Sequence, residues 1–224
     1  MIYNGDTIME NIYYRRAEIK KDENCIAKLW HDVYHESHAN LVPSELLQFR
    51  TLESFAIRAA NPSFIEESIV AIKRGDESDT NPENLVGFIT TRVETHEIYQ
   101  FFVHKEARGL GVAKELISRA EDDFKSFQKQ SYNKSMIRSE KIIHHELKSA
   151  QELIIHLYAS VGNSIAKRFY EKNGWRVVND EMFQAEIVVN EGKNTNHQSG
   201  SSNESCKIQH FPVHCYRFEK NLIL

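Results

Sequence analysis

A mixed α/β fold built around one twisted sheet is what the sequence predicts, on three features. Short runs rich in β-branched and aromatic residues alternate with segments whose apolar residues recur at three- and four-residue steps. Three strand-like runs follow one another between residues 68 and 103, as in a hairpin meander. Two stretches, 73–84 (KRGDESDTNPEN) and 190–205 (NEGKNTNHQSGSSNES), hold no hydrophobic residue and read as solvated loops, since neither can bury a face.

Taken in order, residues 12–19 read as a strand, and Asp22 opens a helix in which Ile26, Leu29, Trp30 and Val33 share one face. A short helix over 53–60 is expected to stop before Asn61-Pro62. The runs 68–73, 85–93 and 98–103 are the strands of the meander. Val112, Leu116, Ala120 and Phe124, at four-residue steps, predict the next helix. Residues 125–151 carry six basic residues against two acidic ones and only scattered apolar ones, which fits either a long loop or an extra helix. An apolar strand at 153–159 precedes a helix over 163–172, closed by Asn173-Gly174, where glycine accepts the left-handed cap. Runs at 175–178, 183–189 and 211–218 supply the last strands.

The chain has 224 residues, one and a half average domains, with 41% hydrophobic and 27% charged residues, which excludes collagen-like and wholly disordered chains. A net charge of −4 argues against nucleic-acid binding over the whole surface. Cys25, Cys206 and Cys215 form neither a disulfide framework nor a C-x-x-C pair, as expected in a reducing compartment. The start, MIYNGDTIMENIYYRR, lacks the pattern of a secretory signal, and no run reaches the roughly 18 apolar residues of a membrane span. The expectation is an intracellular protein, cytoplasmic or nuclear, with no membrane and no nucleic-acid partner.

Chemistry concentrates in residues 98–113, IYQFFVHKEARGLGVA, where a strand, a glycine-containing turn and a helix follow one another. Glycines let backbone N–H groups approach a ligand, and a new helix presents unpaired N–H groups and a positive dipole end, so this is a candidate phosphate site with Arg108 and Lys114 at its rim. A glycine pair between strand and helix is also a common tight turn. The segment lacks the Gly-Lys-Ser/Thr ending of a nucleotide P-loop and the spacing of G-x-G-x-x-G.

A second segment, NSIAKRFYEKNGW at 163–175, follows the apolar strand. Together the two segments resemble the GCN5-related N-acetyltransferase (GNAT) superfamily. Its Arg/Gln-x-x-Gly-x-Gly/Ala pattern is matched by Arg108, Gly111 and Ala113, and its Asn-x-x-Ala-x-x-Phe-Tyr pattern, then glycine and an aromatic, by Asn163, Ala166, Phe169, Tyr170, Gly174 and Trp175. The resemblance implies a single domain over 10–224 after an N-terminal tail at 1–9. It also implies a mixed, mostly antiparallel twisted sheet flanked by helices, with insertions near 73–84, 125–151 and 190–205. The implied activity is acetyl transfer from acetyl-CoA to a primary amine of a small molecule or peptide, by direct attack in a ternary complex without metal, in a monomer or homodimer. The implied cofactor contacts are Phe102, Val103, Arg108, Gly109, Leu110, Gly111, Val112, Ala113, Lys114, Asn163, Ala166 and Tyr170. Two departures stand out: lysine at 105, where many members have proline, and the long basic stretch before residue 153.

Acetyl transfer needs a deprotonated amine, a stabilised oxyanion and a proton for the departing thiolate. The resemblance puts Tyr170 in the acid role, against a core aromatic, and a backbone N–H of the 101–103 strand at the oxyanion. Glu97 is either the general base or a solvated carboxylate at a strand end, with a water relay carrying the proton. Asn163 holds the cofactor, caps its helix, or does both. No cysteine falls within the motifs, which disfavours an acetyl-cysteine route. His31, His35 and His38 recur at i, i+4 and i+7, a spacing that can hold metal but reads better as a face bordering solvent or the acceptor pocket. His144 and His145 read as surface. The rival readings are a non-catalytic acyl-CoA-binding or sensing protein and a nucleotide-binding module.

Overall fold

Period two along the inner strands decides which face of the sheet each side chain reaches. In β2 (Ser68–Lys73), Ile69 and Ala71 enter one core while Val70 and Ile72 enter the other, so a strand covered on both faces reads as an unbroken apolar run. The computed structural model describes residues 11–74, 84–138, 152–190 and 206–224.

β1 (Ile12–Arg16), β2, β3 (Leu85–Arg92) and β4 (Glu97–Val103) pair antiparallel in succession, the expected meander. Helix α1 (Glu23–His38) buries Ile26, Leu29, Trp30 and Val33, as its periodicity predicts. β1 stops earlier than expected because Asp22, fully buried, turns back on the chain. It accepts two hydrogen bonds from Arg15, at 2.6 and 2.9 Å, and one from the Glu18 N–H at 2.7 Å. Asp22→Asn keeps the shape but leaves Arg15 without its counter-charge. It is expected to cost roughly 2 kcal/mol in urea unfolding, and an unchanged midpoint would remove Asp22 from this role.

Helix α3 (Leu52–Ala59) is capped by Thr51, whose hydroxyl accepts from the Ser54 N–H at 3.2 Å. Two short helices were not foreseen: α2 (Ser44–Phe49) and α4 (Pro62–Glu66). Asn61-Pro62 starts α4 rather than merely ending α3. The Asn61 side chain caps the Ser63 and Phe64 N–H groups, and proline in the first turn gives up a donor that would have no partner.

Helix α5 (Val112–Arg138) sinks Val112, Leu116, Ala120 and Phe124 completely. It runs on through residues 125–138, so the first half of the basic stretch is helix; the rest, 139–151 with His144 and His145, lies outside the described residues, as do the loop expectations at 75–83 and 191–205 and the tail at 1–9. α5 supplies the crossover that a parallel pair requires, carrying the chain to β5 (Glu152–Ser160). Helix α6 (Ser164–Lys172) leads into β6 (Arg176–Asn190) and β7 (Cys206–Ile223). The separate strands expected at 175–178 and 183–189 are one strand. Asn179, Asp180 and Glu181 interrupt the apolar pattern, but β6 is an edge strand held along its length by β7, and this part of it is exposed and needs no buried face.

The sheet order is β1-β2-β3-β4-β5-β7-β6. One face packs under α5 and α6, the other under α1, α3 and α4, and α2 covers the β6–β7 hairpin through Leu46, Ala185, Ile187 and Val213. β4 and β5 pair only at Glu97 with His156 and at Ile98 with Leu157, while β5 pairs with β7 along its whole length. Beyond Ile98 the two central strands therefore part, and this opening positions the site.

Candidate active site

A cleft of about 1450 Å³ fills the opening between β4 and β5, lined by Tyr99 to Val103 on one strand and Leu157 to Ser160 on the other. On the α5 side, β4 ends at Val103 and a 3-10 turn, Lys105–Ala107, follows. Lys105 accepts the Arg108 N–H at its carbonyl, at 3.2 Å, so lysine builds the turn here without proline. Gly109 and Gly111 adopt φ of +78° and +82°, a region that favours glycine. The backbone N–H groups of Gly109, Gly111, Val112, Ala113 and Lys114 meet no acceptor among the described residues. Such a row of donors at a helix start fits a pyrophosphate. Ala107 and Val112, both buried, pin the loop to the core. Leu110 is half-buried against the same core, so Leu110 and Val112 face it with their side chains, while Arg108, Gly109, Gly111, Ala113 and Lys114 line the cleft.

Arg108 is also held by Glu36 of α1, in a two-pronged ion pair at 2.8 and 3.1 Å. Both groups are more than a third exposed, so the pair is worth at most about 1 kcal/mol.

On the α6 side, the Asn163 side chain accepts the Ala166 N–H at 3.1 Å, a helix cap at the rim of the cleft. Phe169 and Tyr170 both line the cleft, and Tyr170 is the more buried, at 7% exposure. Its ring packs on Phe218, Phe169 and Trp175 at centroid distances of 5.2, 5.5 and 6.1 Å. Burial pushes its phenol well above the ordinary value, and its hydroxyl has no hydrogen-bond partner among the described residues.

On the opposite face, Glu97 lines the cleft and pairs with Arg92 at 3.2 Å. The Arg92 guanidinium lies 3.4 Å from the centre of the Tyr99 ring, and the Tyr99 hydroxyl accepts from Arg58 at 3.4 Å. Burial alone would raise the Tyr99 phenol, but the Arg58 charge and hydrogen bond, with Arg92, hold it below its ordinary value. His156, opposite Glu97 in the register, is kept below its usual range mainly by burial.

The α1 histidines do not form a metal site. Among the described residues no group of three potential ligands comes together. His31 bonds Asp32 at 2.8 Å, and His35 donates to the Arg50 carbonyl at 2.6 Å. His38 stacks on Tyr34 at 4.5 Å and lines the cleft. Burial pulls His38 down from 6.5 to about 4. A histidine depressed in the folded state stabilises it above the unfolded value, and that stability is lost as pH falls toward the folded value. Thermal unfolding is expected to lose about 2 kcal/mol between pH 7 and pH 5 through this group. His38→Gln should flatten that slope, and an unaltered slope would assign it elsewhere.

Cys215 also reaches the cleft, but burial pushes its thiol up to about 11 despite a hydrogen bond with Ser160. Cysteine reacts as thiolate, so a thiol kept protonated is a poor nucleophile.

The fold thus brings Glu97, Phe102, Val103, Arg108, Gly109, Gly111, Ala113, Lys114, Asn163, Ala166 and Tyr170 to one cleft. Sequence reasoning missed Glu36, Arg50, Arg58 and Tyr99. Their signal was weak, because they come from helices and a strand face whose approach to the motifs only the tertiary fold sets.

Comparisons with known proteins agree with this geometry. A family model described as an acetyltransferase (GNAT) domain matches residues 67–177, from β2 to the start of β6. The PaiA N-acetyltransferase of Thermoplasma acidophilum, solved in complex with coenzyme A, superposes with a TM-score of 0.51 at 15% identity, over 94% of this chain and 99% of that one. A GCN5-related N-acetyltransferase from Rhodopseudomonas palustris gives 0.52 at 15% identity, over 95% and 96%. At such identity these likenesses speak for the fold. No curated protein sequence matches. With its seven-stranded, mostly antiparallel sheet and parted central strands, the chain carries an acetyltransferase (GNAT) domain at residues 67–177.

Proposed function

We propose that this acetyltransferase-family chain moves an acetyl group from acetyl-CoA to a primary amine by direct attack while both are bound. The observation that carries this reading is a row of amides, at Gly109 and from Gly111 to Lys114, that meet no acceptor among the described residues, beside the same cleft as the Tyr170 hydroxyl, itself without a partner among them. The amides and Arg108 hold a pyrophosphate by charge-assisted hydrogen bonds. Acetyl-CoA supplies the thioester carbonyl that the amine attacks. Tyr170, its proton secured by burial, gives that proton as negative charge develops on the departing sulfur. Glu97 takes the amine proton, directly or through water, and Arg92 orients its carboxylate. Backbone beyond Ile98 on β4 has no β5 partner, leaving N–H groups to face the oxyanion.

The test is thermal stabilisation by acetyl-CoA, CoA, ATP and NAD, followed by thiol release across a panel of amines. Stabilisation by acetyl-CoA and CoA with release on at least one amine is expected. Stabilisation by ATP alone would overturn the reading, and binding without turnover would favour a sensor. Glu97→Gln is expected to lower kcat/KM about tenfold or more at neutral pH. An unchanged rate would leave the proton to water.

A further inference from the structure

Resting on that transferase reading, we infer that the amine acceptor carries an anionic group, a carboxylate or a phosphate, which Arg50 and Arg58 hold on the α1–α3 side of the cleft. Charge pairing within the cleft makes the case. Among the described residues its only carboxylates are Glu36 and Glu97, and both are taken, by Arg108 and Arg92. Arg50 and Arg58 line the same cleft, and neither has a carboxylate within ion-pair reach among the described residues.

Arg50 is 9% exposed, and its Nε is buried with no acceptor. Its backbone is fixed at the end of α2, the N–H bonded to the Leu47 carbonyl at 3.1 Å and the carbonyl receiving His35 at 2.6 Å. Arg58 lies 4.1 Å over the Trp30 ring and donates to Tyr99. Burial lowers its affinity for its own proton, and the Arg50 charge adds to that. Two cations close enough to repel, with aromatic faces and the Tyr34 and Tyr99 phenols but no carboxylate among the described residues to compensate, raise the energy of the empty cleft. Removing charge from water without a counter-charge is costly, and an arriving oxyanion reverses that cost through charge-assisted, two-pronged hydrogen bonds. The clamp is separate from the amide cradle, which opens from α5 with Arg108 as its own cation. It neighbours Glu97 through Tyr99 and Arg92, so an acceptor held here presents its amine near the proposed base.

Matched amines that differ only in the anion test this: cadaverine against lysine for carboxylate, ethanolamine against O-phosphoethanolamine for phosphate. Thiol release should give the anionic member of at least one pair a kcat/KM about tenfold or more higher, and the winning pair identifies the anion. Arg50→Gln and Arg58→Gln should erase that preference through KM. Arg58→Lys, which keeps the charge but loses the fork, should retain part of it. A readout independent of turnover is the fluorescence of Trp30 beneath Arg58, titrated with glutarate and with inorganic phosphate. A saturable change, lost in Arg58→Gln of unaltered melting temperature, supports the clamp. Equal kcat/KM within both pairs, with no saturable fluorescence change, overturns it while leaving the transferase reading intact. If no amine releases thiol, that reading falls, and the fluorescence titration alone decides the anion site.

Discussion

Tyr170→Phe is expected to lower kcat for thiol release by about 100-fold or more, with the dissociation constant for acetyl-CoA changed by less than about twofold. The argument is local. The ring is nearly all buried against Phe218, Phe169 and Trp175, and phenylalanine keeps every one of those contacts. The hydroxyl has no hydrogen-bond partner among the described residues, so its removal orphans no donor or acceptor among them, and the melting temperature should stay put or rise slightly. What the variant loses is the one proton that the proposed mechanism gives to the departing thiolate. Stopped-flow thiol detection with excess amine measures the rate, and titration with CoA measures the affinity. A full rate in the variant would return Tyr170 to the role of a core aromatic and leave the sulfur to be protonated by water. A loss of affinity equal to the loss of rate would mean that the hydroxyl binds rather than reacts.

How far the sequence foretold this site depends on whether a residue's role is set locally. The amide cradle was legible because glycine spacing, the helix start and Arg108 all lie within one short segment, and φ of +78° and +82° is what such glycines are for. Tyr170 and Asn163 were legible for the same reason, the second doubling as a cap that its position at the helix start foretells. The inner strands could be read because both faces are covered. β6 could not, since an edge strand tolerates the polar residues at 179–181 that look like a break. Short helices α2 and α4 escaped because two turns or fewer carry no measurable period. Arg50, Arg58 and Glu36 escaped for a deeper reason. Each is an ordinary surface-type residue on or just after its own helix, and it gains meaning only when α1 and α3 pack against the sheet beside β4 and α2 covers the β6–β7 hairpin, which brings it to the cleft.

The cradle itself yields the sharpest contrast between two glycines. Gly111→Leu is expected to weaken CoA binding by about 100-fold or more, because the new side chain occupies the space into which the amides point, and losing two charge-assisted hydrogen bonds of about 2 kcal/mol each is enough for that effect. Strain alone would confuse the reading, since φ of +82° disfavours any side chain by roughly 1–2 kcal/mol. Gly109→Ala supplies the control. Gly109 has nearly the same φ, +78°, and a methyl group there meets no protein atom within 4 Å, so alanine carries the strain while adding a single carbon at the cleft in place of leucine's four. Both variants should therefore lose comparable thermal stability, while only Gly111→Leu loses affinity for CoA by calorimetry. Equal and modest affinity losses in the two would show that backbone shape, not access to the amides, governs binding. Normal CoA binding by Gly111→Leu would refute the cradle, because no pyrophosphate can reach those N–H groups past a leucine side chain.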